Sequence, residues 1–326
     1  MEEGAAQIIE ALRGAGLIGG ETPELVPLTG GVSCDVWKVE TPSGPVVVKR
    51  PLPQLRVAAL WEAPVERGTS EVRWLRRARG VAPSLAPEVL ADFPDLHTFV
   101  LRFLPGCPVW KDELIAGRVD PAFAAAVGSG IAKVHAATAF NRGDAAAFPN
   151  EAMFHALRLD PFFLHVARQD AELAPALQAL AGQFHDHGIA VVHGDVSPKN
   201  ILVAADGPVF LDAECATWGD PAFDLAFCTA HLLLKAVWLD REVLRDAAAA
   251  MVAAYAAGID WEPPADFLAR AGSYCAGLLL ARIEGKSPAP YLIAQTHKTT
   301  VRHQARALLL RPRPLDALVA QWQRTL

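Results

Sequence analysis

The spacing of hydrophobic and polar positions changes about a third of the way along the chain. Residues 34–39, Cys-Asp-Val-Trp-Lys-Val, alternate apolar with polar side chains, and Val46-Val47-Val48-Lys49 follows a Ser43-Gly44 turn. Two such runs across a tight turn predict a β-hairpin. A further strand is predicted over residues 99–104, ended by Pro105-Gly106. Two helices belong to the same portion. One covers residues 5–17 and stops at Gly19-Gly20; the other covers residues 69–79, with Val72 and Leu75 inward and Arg73, Arg76, Arg77 and Arg79 on its rim.

Beyond Gly106 the period is helical, over residues 121–138, 174–187, 241–257, 265–284 and 289–311, several of them alanine-rich. One strand–loop–strand segment interrupts them, residues 190–212, with Asp206-Gly207 as its turn. A β-rich first third and a helix-rich remainder predict an α+β chain of two lobes, 1–104 and 105–326, acting as one unit.

Composition narrows the class. The 326 residues are 52% hydrophobic, which describes a well-buried globular protein. A net charge of −6 argues against a dedicated nucleic-acid binder. Cys34, Cys107, Cys215, Cys228 and Cys275 show no CxxC spacing, so reduced thiols are expected rather than disulfides or zinc. Met-Glu-Glu-Gly is acidic where a signal peptide is basic. The most apolar run, 225–234, is short for a bilayer and is interrupted by Thr229 and His231. A cytoplasmic protein without a membrane partner is expected.

The chemistry concentrates in His193-Gly194-Asp195-Val196-Ser197-Pro198-Lys199-Asn200, followed by Val209-Phe210-Leu211-Asp212. These runs put two carboxylates and a carboxamide on short loops at the ends of apolar strands. Phosphoryl transfer from a nucleotide needs one group to orient the acceptor hydroxyl and oxygen ligands for Mg²⁺. Any one of these residues alone reads as an ordinary turn or cap residue; their combination does not. Lys49 ends an apolar strand, a position suited to presenting an ammonium to phosphates. Glu71 early in the next helix is its candidate partner, with Glu62 and Glu66 as competitors.

On these motifs the chain resembles the aminoglycoside phosphotransferase and choline kinase-like superfamily, small-molecule kinases with a protein-kinase-like bilobal fold. The likeness spans nearly the whole chain and is strongest over residues 192–225. It implies ATP and Mg²⁺ as cofactors, Asp195 as catalytic base, Asn200 and Asp212 as metal ligands, and His193 as a support of the loop. Leu28-Thr29-Gly30-Gly31-Val32-Ser33 resembles the family's nucleotide-covering loop, with Gly30, Gly31 and Ser33 facing phosphate. Residues 99–104 resemble the strand entering the interlobe hinge, with Leu101 and Phe103 as walls for adenine. Asp220 and Asp224 anchor the catalytic loop and the helix after it, structural roles for both.

The expected activity is therefore γ-phosphoryl transfer to a hydroxyl of a small molecule of sugar, polyol or amino-alcohol type. An aminoglycoside acceptor fits less well, because Lys286, Lys298 and Arg302 make the tail basic where a polycation needs an acidic pocket. Arg282 and His303 extend that basic set. A protein kinase is disfavoured by Gly194 before Asp195 and by the seven residues between Asp212 and Asp220. A silent nucleotide-binding pseudokinase would lack Lys49, Asp195, Asn200 or Asp212, and all four are present. A homodimer is compatible with the helix-rich second part.

Overall fold

A computed structural model of the chain describes residues 2–28, 33–54, 56 and 63–323. Gly30, Gly31 and Glu62 lie outside the described residues. Helix α1 (Glu2–Gly14) ends in a left-handed Gly16: the Leu17 N–H donates to Leu12 O and the Gly16 N–H to Arg13 O, a Schellman pair. The helix thus stops before the predicted Leu17.

Strands β1 (Val26–Pro27), β2 (Cys34–Val39) and β3 (Val46–Pro51) precede helix α2 (Arg67–Val81), and β4 (Val89–Phe93) and β5 (Thr98–Arg102) follow it. They form one antiparallel sheet in the order β1-β2-β3-β5-β4. Side chains of a strand alternate between faces. Val46, Val48 and Val100 therefore pack on Ile8 and Leu12 of α1, while Phe99 and Leu101 join Val72, Trp74 and Leu75 of α2. The same alternation carries Lys49 to the α2 side. Strand β4 escapes prediction for a physical reason. It is an edge strand with a register shift between Val89 and Ala91, and all five residues are half-buried, so no two-residue alternation shows.

The remainder is mostly helical. In chain order come α3 (Trp110–Ile115), α4 (Pro121–Thr138), α5 (Arg142–Ala147) and α6 (Glu151–Phe154), then a π-helical stretch (His155–Leu164), α7 (His165–Ala167) and α8 (Ala174–Asp186). Short strands β6 (Ala190–Val192), β7 (Ile201–Ala204), β8 (Gly207–Phe210) and β9 (Thr217–Gly219) pair as β6–β9 and β7–β8. Helices α9 (Ala222–Leu239), α10 (Val243–Ala256), α11 (Pro264–Glu284), α12 (Gln295–Leu310) and α13 (Leu315–Gln321) complete the chain.

Caps set several boundaries. Asp120 accepts the Ala122 N–H at 2.8 Å with Pro121 at the first turn of α4, and Asn141 accepts two N–H groups at the start of α5. Gly128 lets α4 close on α10: a Cβ there would lie 2.2 Å from Met251 O. Helix α9 corrects the short run expected from residues 225–234. It is 18 residues long with mean hydropathy 1.5, enough by length and composition alone to cross a bilayer, and 89% of it is buried inside the protein. Packed against α10, α11 and α12, it is a core helix without a polar face, which is why its limits were illegible from amphipathic spacing.

Candidate active site

Three side chains from distant parts of the chain meet where the sheet faces the helical part. Lys49 Nζ on β3 lies 2.7 and 2.8 Å from the two oxygens of Glu71 on α2, and 2.8 Å from Asp212 Oδ1. Glu66 stands exposed at the start of α2, away from this contact. Burial opposes the charge on Lys49, but Asp212 and Glu71 outweigh it and hold the ammonium well above the usual lysine range. Burial likewise pushes Glu71 up, while Lys49 and Lys199 overcome burial at Asp212 and hold it below the usual carboxylate range. Asp212 follows β8 with a left-handed φ of 65°, and its N–H donates to Glu71 Oε1 at 3.2 Å.

The His193-Gly194-Asp195 loop is held from beneath. Asp224, in the first turn of α9, accepts the N–H groups of His193 at 2.6 Å and Gly194 at 2.8 Å, and also contacts His135 Nε2 at 3.2 Å. His193 Nδ1 accepts the Asp195 N–H at 3.2 Å, so its Nε2–H donates to Leu211 O at 3.0 Å. Burial lowers the pKa of this histidine, in keeping with the neutral ring those two bonds require. Gly194 has φ 78°, and a Cβ there would meet Cys215 Cβ and the Phe154 ring at 2.9 Å. Only glycine fits.

Asp195 itself is 5% exposed and faces two cations: Arg158 Nη2 at 3.2 Å and Lys199 Nζ at 3.0 Å from Oδ2. Arg158 also donates through Nε to Gly194 O at 2.6 Å, clamping the loop that carries the carboxylate. Asn200 Nδ2 donates to Asp195 O at 3.0 Å, which leaves the carboxamide oxygen to accept elsewhere. The Leu211 N–H donates to Asn200 O at 2.8 Å, joining the Asn200 and Asp212 ends of the β7–β8 ribbon.

A buried strut ties the entry of β2 to the same region. Arg67 pairs with Glu214 at 2.9 Å and donates to the carbonyls of Ser33, Leu52, Ala63 and Pro64. Ser33 is buried, its hydroxyl 3.8 Å from Cys34 Sγ, and burial pushes the Cys34 thiol up to about 12. Leu101 is buried in the core beside α2, and the Phe103 ring lies 5.1 Å from Lys38 Nζ.

Several of these residues carry no sequence signal strong enough to assign a role. Arg158 sits in a π-helical stretch with no motif around it, and Arg67 precedes the helix start read from periodicity. Lys199 stands four residues after Asp195, a spacing that marks a neighbour. The basic set of the tail divides. Arg302 pairs with Glu284 and Arg306 with Asp170, while Arg282 bonds the Ser287 backbone oxygen and hydroxyl and lies 6.0 Å from the centroid of the Phe162 ring.

A strand lysine, a helix glutamate and an aspartate after a two-stranded ribbon, converging beside a His-Gly-Asp loop, define the class: an α+β protein with the protein-kinase-like fold. Solved structures share it. The choline/ethanolamine kinase family protein from Mesorhizobium loti aligns with a TM-score of 0.55 at 19% identity, over 98% of this chain and 97% of that one. Aminoglycoside-3'-phosphotransferase of type VIII aligns with a TM-score of 0.52 at 19% identity, over 84% of this chain and 99% of that one. The model of the phosphotransferase enzyme family matches residues 24–267, and the chain belongs to that family. A methylthioribose kinase of Klebsiella pneumoniae (strain 342) is 29% identical over 231 residues, 63% of this chain. The match spans 58% of that relative's length.

Proposed function

We propose that the chain is an ATP-dependent kinase that phosphorylates a hydroxyl of a small sugar- or polyol-type metabolite. The observation that carries this reading is the placement of the Lys49–Glu71–Asp212 cluster beside the clamped Asp195 loop. Residues 1–104 would bind the nucleotide and 105–326 would supply catalysis and the acceptor site. Lys49, held by Glu71, binds phosphate oxygens. Gly30, Gly31 and Ser33 cover the phosphates, and Leu101 and Phe103 border adenine.

In the step, the acceptor oxygen bonds to the γ-phosphorus as the bond to the β–γ bridging oxygen breaks and ADP leaves. The hydroxyl proton passes to Asp195. Arg158 and Lys199 hold that carboxylate in place, and in a loose transition state its position matters more than its basicity. Lys199 then faces the transferring group.

The donor set fits Mg²⁺. Asn200 and Asp212 offer one neutral and one charged oxygen, and a hard cation of this kind takes its other ligands from phosphates and water. Among the described residues no group of three or more His, Cys, Asp or Glu side chains is placed to hold a metal ion. When bound, Mg²⁺ would offset phosphate charge.

The likeness to methylthioribose kinase supports a sugar hydroxyl as acceptor. An antibiotic polycation is disfavoured by the cations around Asp195. The test is ADP release with ATP, Mg²⁺ and a panel of sugars, methylthioribose-like fragments, amino alcohols and aminoglycosides. Saturable release with a sugar-type acceptor is expected. Release with aminoglycosides alone, or with no acceptor in the panel, contradicts the reading.

A further inference from the structure

Lys235 interrupts the apolar run Leu232-Leu233-Leu234-Lys235-Ala236-Val237 in the last third of α9 and is 3% exposed. Little of the side chain meets solvent, and lysine is almost never buried unpaired. Yet no carboxylate pairs with it among the described residues. Its nearest recorded partner is a ring: Nζ lies 5.0 Å from the centroid of Tyr291, which packs on Trp238 at 4.6 Å.

Its surroundings are short of acceptors as well. Arg282 on α11 uses Nη1 on the Ser287 backbone oxygen and hydroxyl, and its Nε has no partner. The buried hydroxyl of Tyr291 has none either. His231, one turn before Lys235, packs on Phe227 at 5.0 Å, and the Arg158 guanidinium lies 6.0 Å from the centroid of that same Phe227 ring. Since Arg158 touches Asp195, these contacts lead from the candidate catalytic carboxylate to the turn of α9 before Lys235.

We infer that the acceptor carries an anionic group, a carboxylate or a phosphate, which Lys235 and Arg282 bind together with the Tyr291 hydroxyl while the acceptor's own hydroxyl faces Asp195. This rests on the kinase reading and adds the charge of the substrate to it. A neutral sugar would leave the ammonium unpaired; a polycation would be repelled by it. Burial, with Arg282 and Lys111, brings Lys235 down to about 7, against a smaller opposing effect of Cys228. The groups that face it are Cys228 and His231 on α9, Arg282 on α11, Lys111 on α3 and Tyr291 before α12. An arriving anion restores the proton, so binding takes up a proton above neutral pH.

The test measures binding by calorimetry for aldonic acids and sugar monophosphates against their neutral parent sugars, on wild type and Lys235→Met. Tighter binding of either anion class, by about tenfold or more, is expected. The preference should vanish in Lys235→Met, and comparing the two classes identifies which anion is taken. Proton uptake, read on wild type at pH 8 from two buffers of different ionisation enthalpy, should accompany binding whether or not the variant folds. Equal affinity for anions and neutral parents, or binding without proton uptake, overturns the inference. If neutral sugars are phosphorylated as well as the anions, the inference fails and the kinase reading stands. If anions bind in this Lys235-dependent way yet no phosphoryl transfer occurs, the kinase reading fails instead.

Discussion

The Glu71 carboxylate holds Asp212 by two routes: Oε1 accepts the Asp212 N–H at 3.2 Å, and both oxygens grip the Lys49 ammonium that bonds Asp212 Oδ1 at 2.8 Å. Asp212 adopts φ 65°, a conformation that costs a non-glycine residue on the order of 1 kcal/mol. The contacts of Glu71 thus fix a strained backbone in the orientation that presents the aspartate.

Glu71→Ala removes both routes and leaves the buried Lys49 with a single partner. A loss of about 3 kcal/mol in unfolding free energy is expected, with a fall in kcat/KM for ATP of about 100-fold. Glu71→Gln keeps an acceptor for the Asp212 N–H and should retain part of the stability. Equal denaturant midpoints for wild type and Glu71→Ala would show that the contact does not hold the site.

Arg158 gives the Asp195 loop its aim through a forked contact, Nε to Gly194 O and Nη2 to Asp195 Oδ2. Lysine keeps the charge and loses the fork. For Arg158→Lys we expect kcat to fall about 10- to 100-fold with KM for ATP unchanged, since orientation rather than nucleotide binding is lost. Steady-state kinetics decides this; a change confined to KM for ATP would place Arg158 at the nucleotide instead.

Two glycines separate strain from collision. Gly44 has φ 101° with open space around it, whereas Gly194 has φ 78° and meets Phe154 and Cys215. Gly44→Ala should cost about 1 kcal/mol, and Gly194→Ala at least about 1–3 kcal/mol more because packed side chains must also shift. Chemical unfolding of both variants checks the order, and the reverse order would refute the packing described around the loop.

Lys235 predicts a pH dependence whose sign is fixed by its lowered pKa. The folded state releases this proton near 7 and the unfolded chain only near the ordinary lysine value of 10.5, so between these limits the unfolded state binds more protons. Wild-type stability without ligand should therefore gain from Lys235 as pH rises through that window. Lys235→Met lacks this gain, so its advantage over wild type is largest below pH 7 and shrinks toward pH 10. Melting temperatures of the two proteins across pH 6–10 test this; a constant difference would mean that the lysine titrates normally.

The chemistry-bearing residues were legible because they sit in contiguous motifs. Asp195, Asn200 and Asp212 occupy one stretch, and strand β2 alternates apolar with polar residues while β3 shows as an apolar run after the Ser43-Gly44 turn. Residues whose partners are distant in sequence were not. Arg158 and Arg67 meet their partners only after folding, and an isolated arginine reads as a surface residue. Helix α9, buried on every side, has no period to reveal its ends. Lys235 did leave a mark, a lone charge inside an apolar run, which gains meaning only once the helix is known to be buried.

The central claim is that Asp195 receives the proton of an acceptor hydroxyl during phosphoryl transfer. The most direct measurement is transfer of label from γ-³²P-ATP to the acceptor by wild type and by Asp195→Asn, with melting temperature and nucleotide affinity measured in parallel. We predict that the variant folds, binds ATP as wild type does, and transfers label about 1,000-fold more slowly. A folded Asp195→Asn protein that labels the acceptor at the wild-type rate would contradict the account.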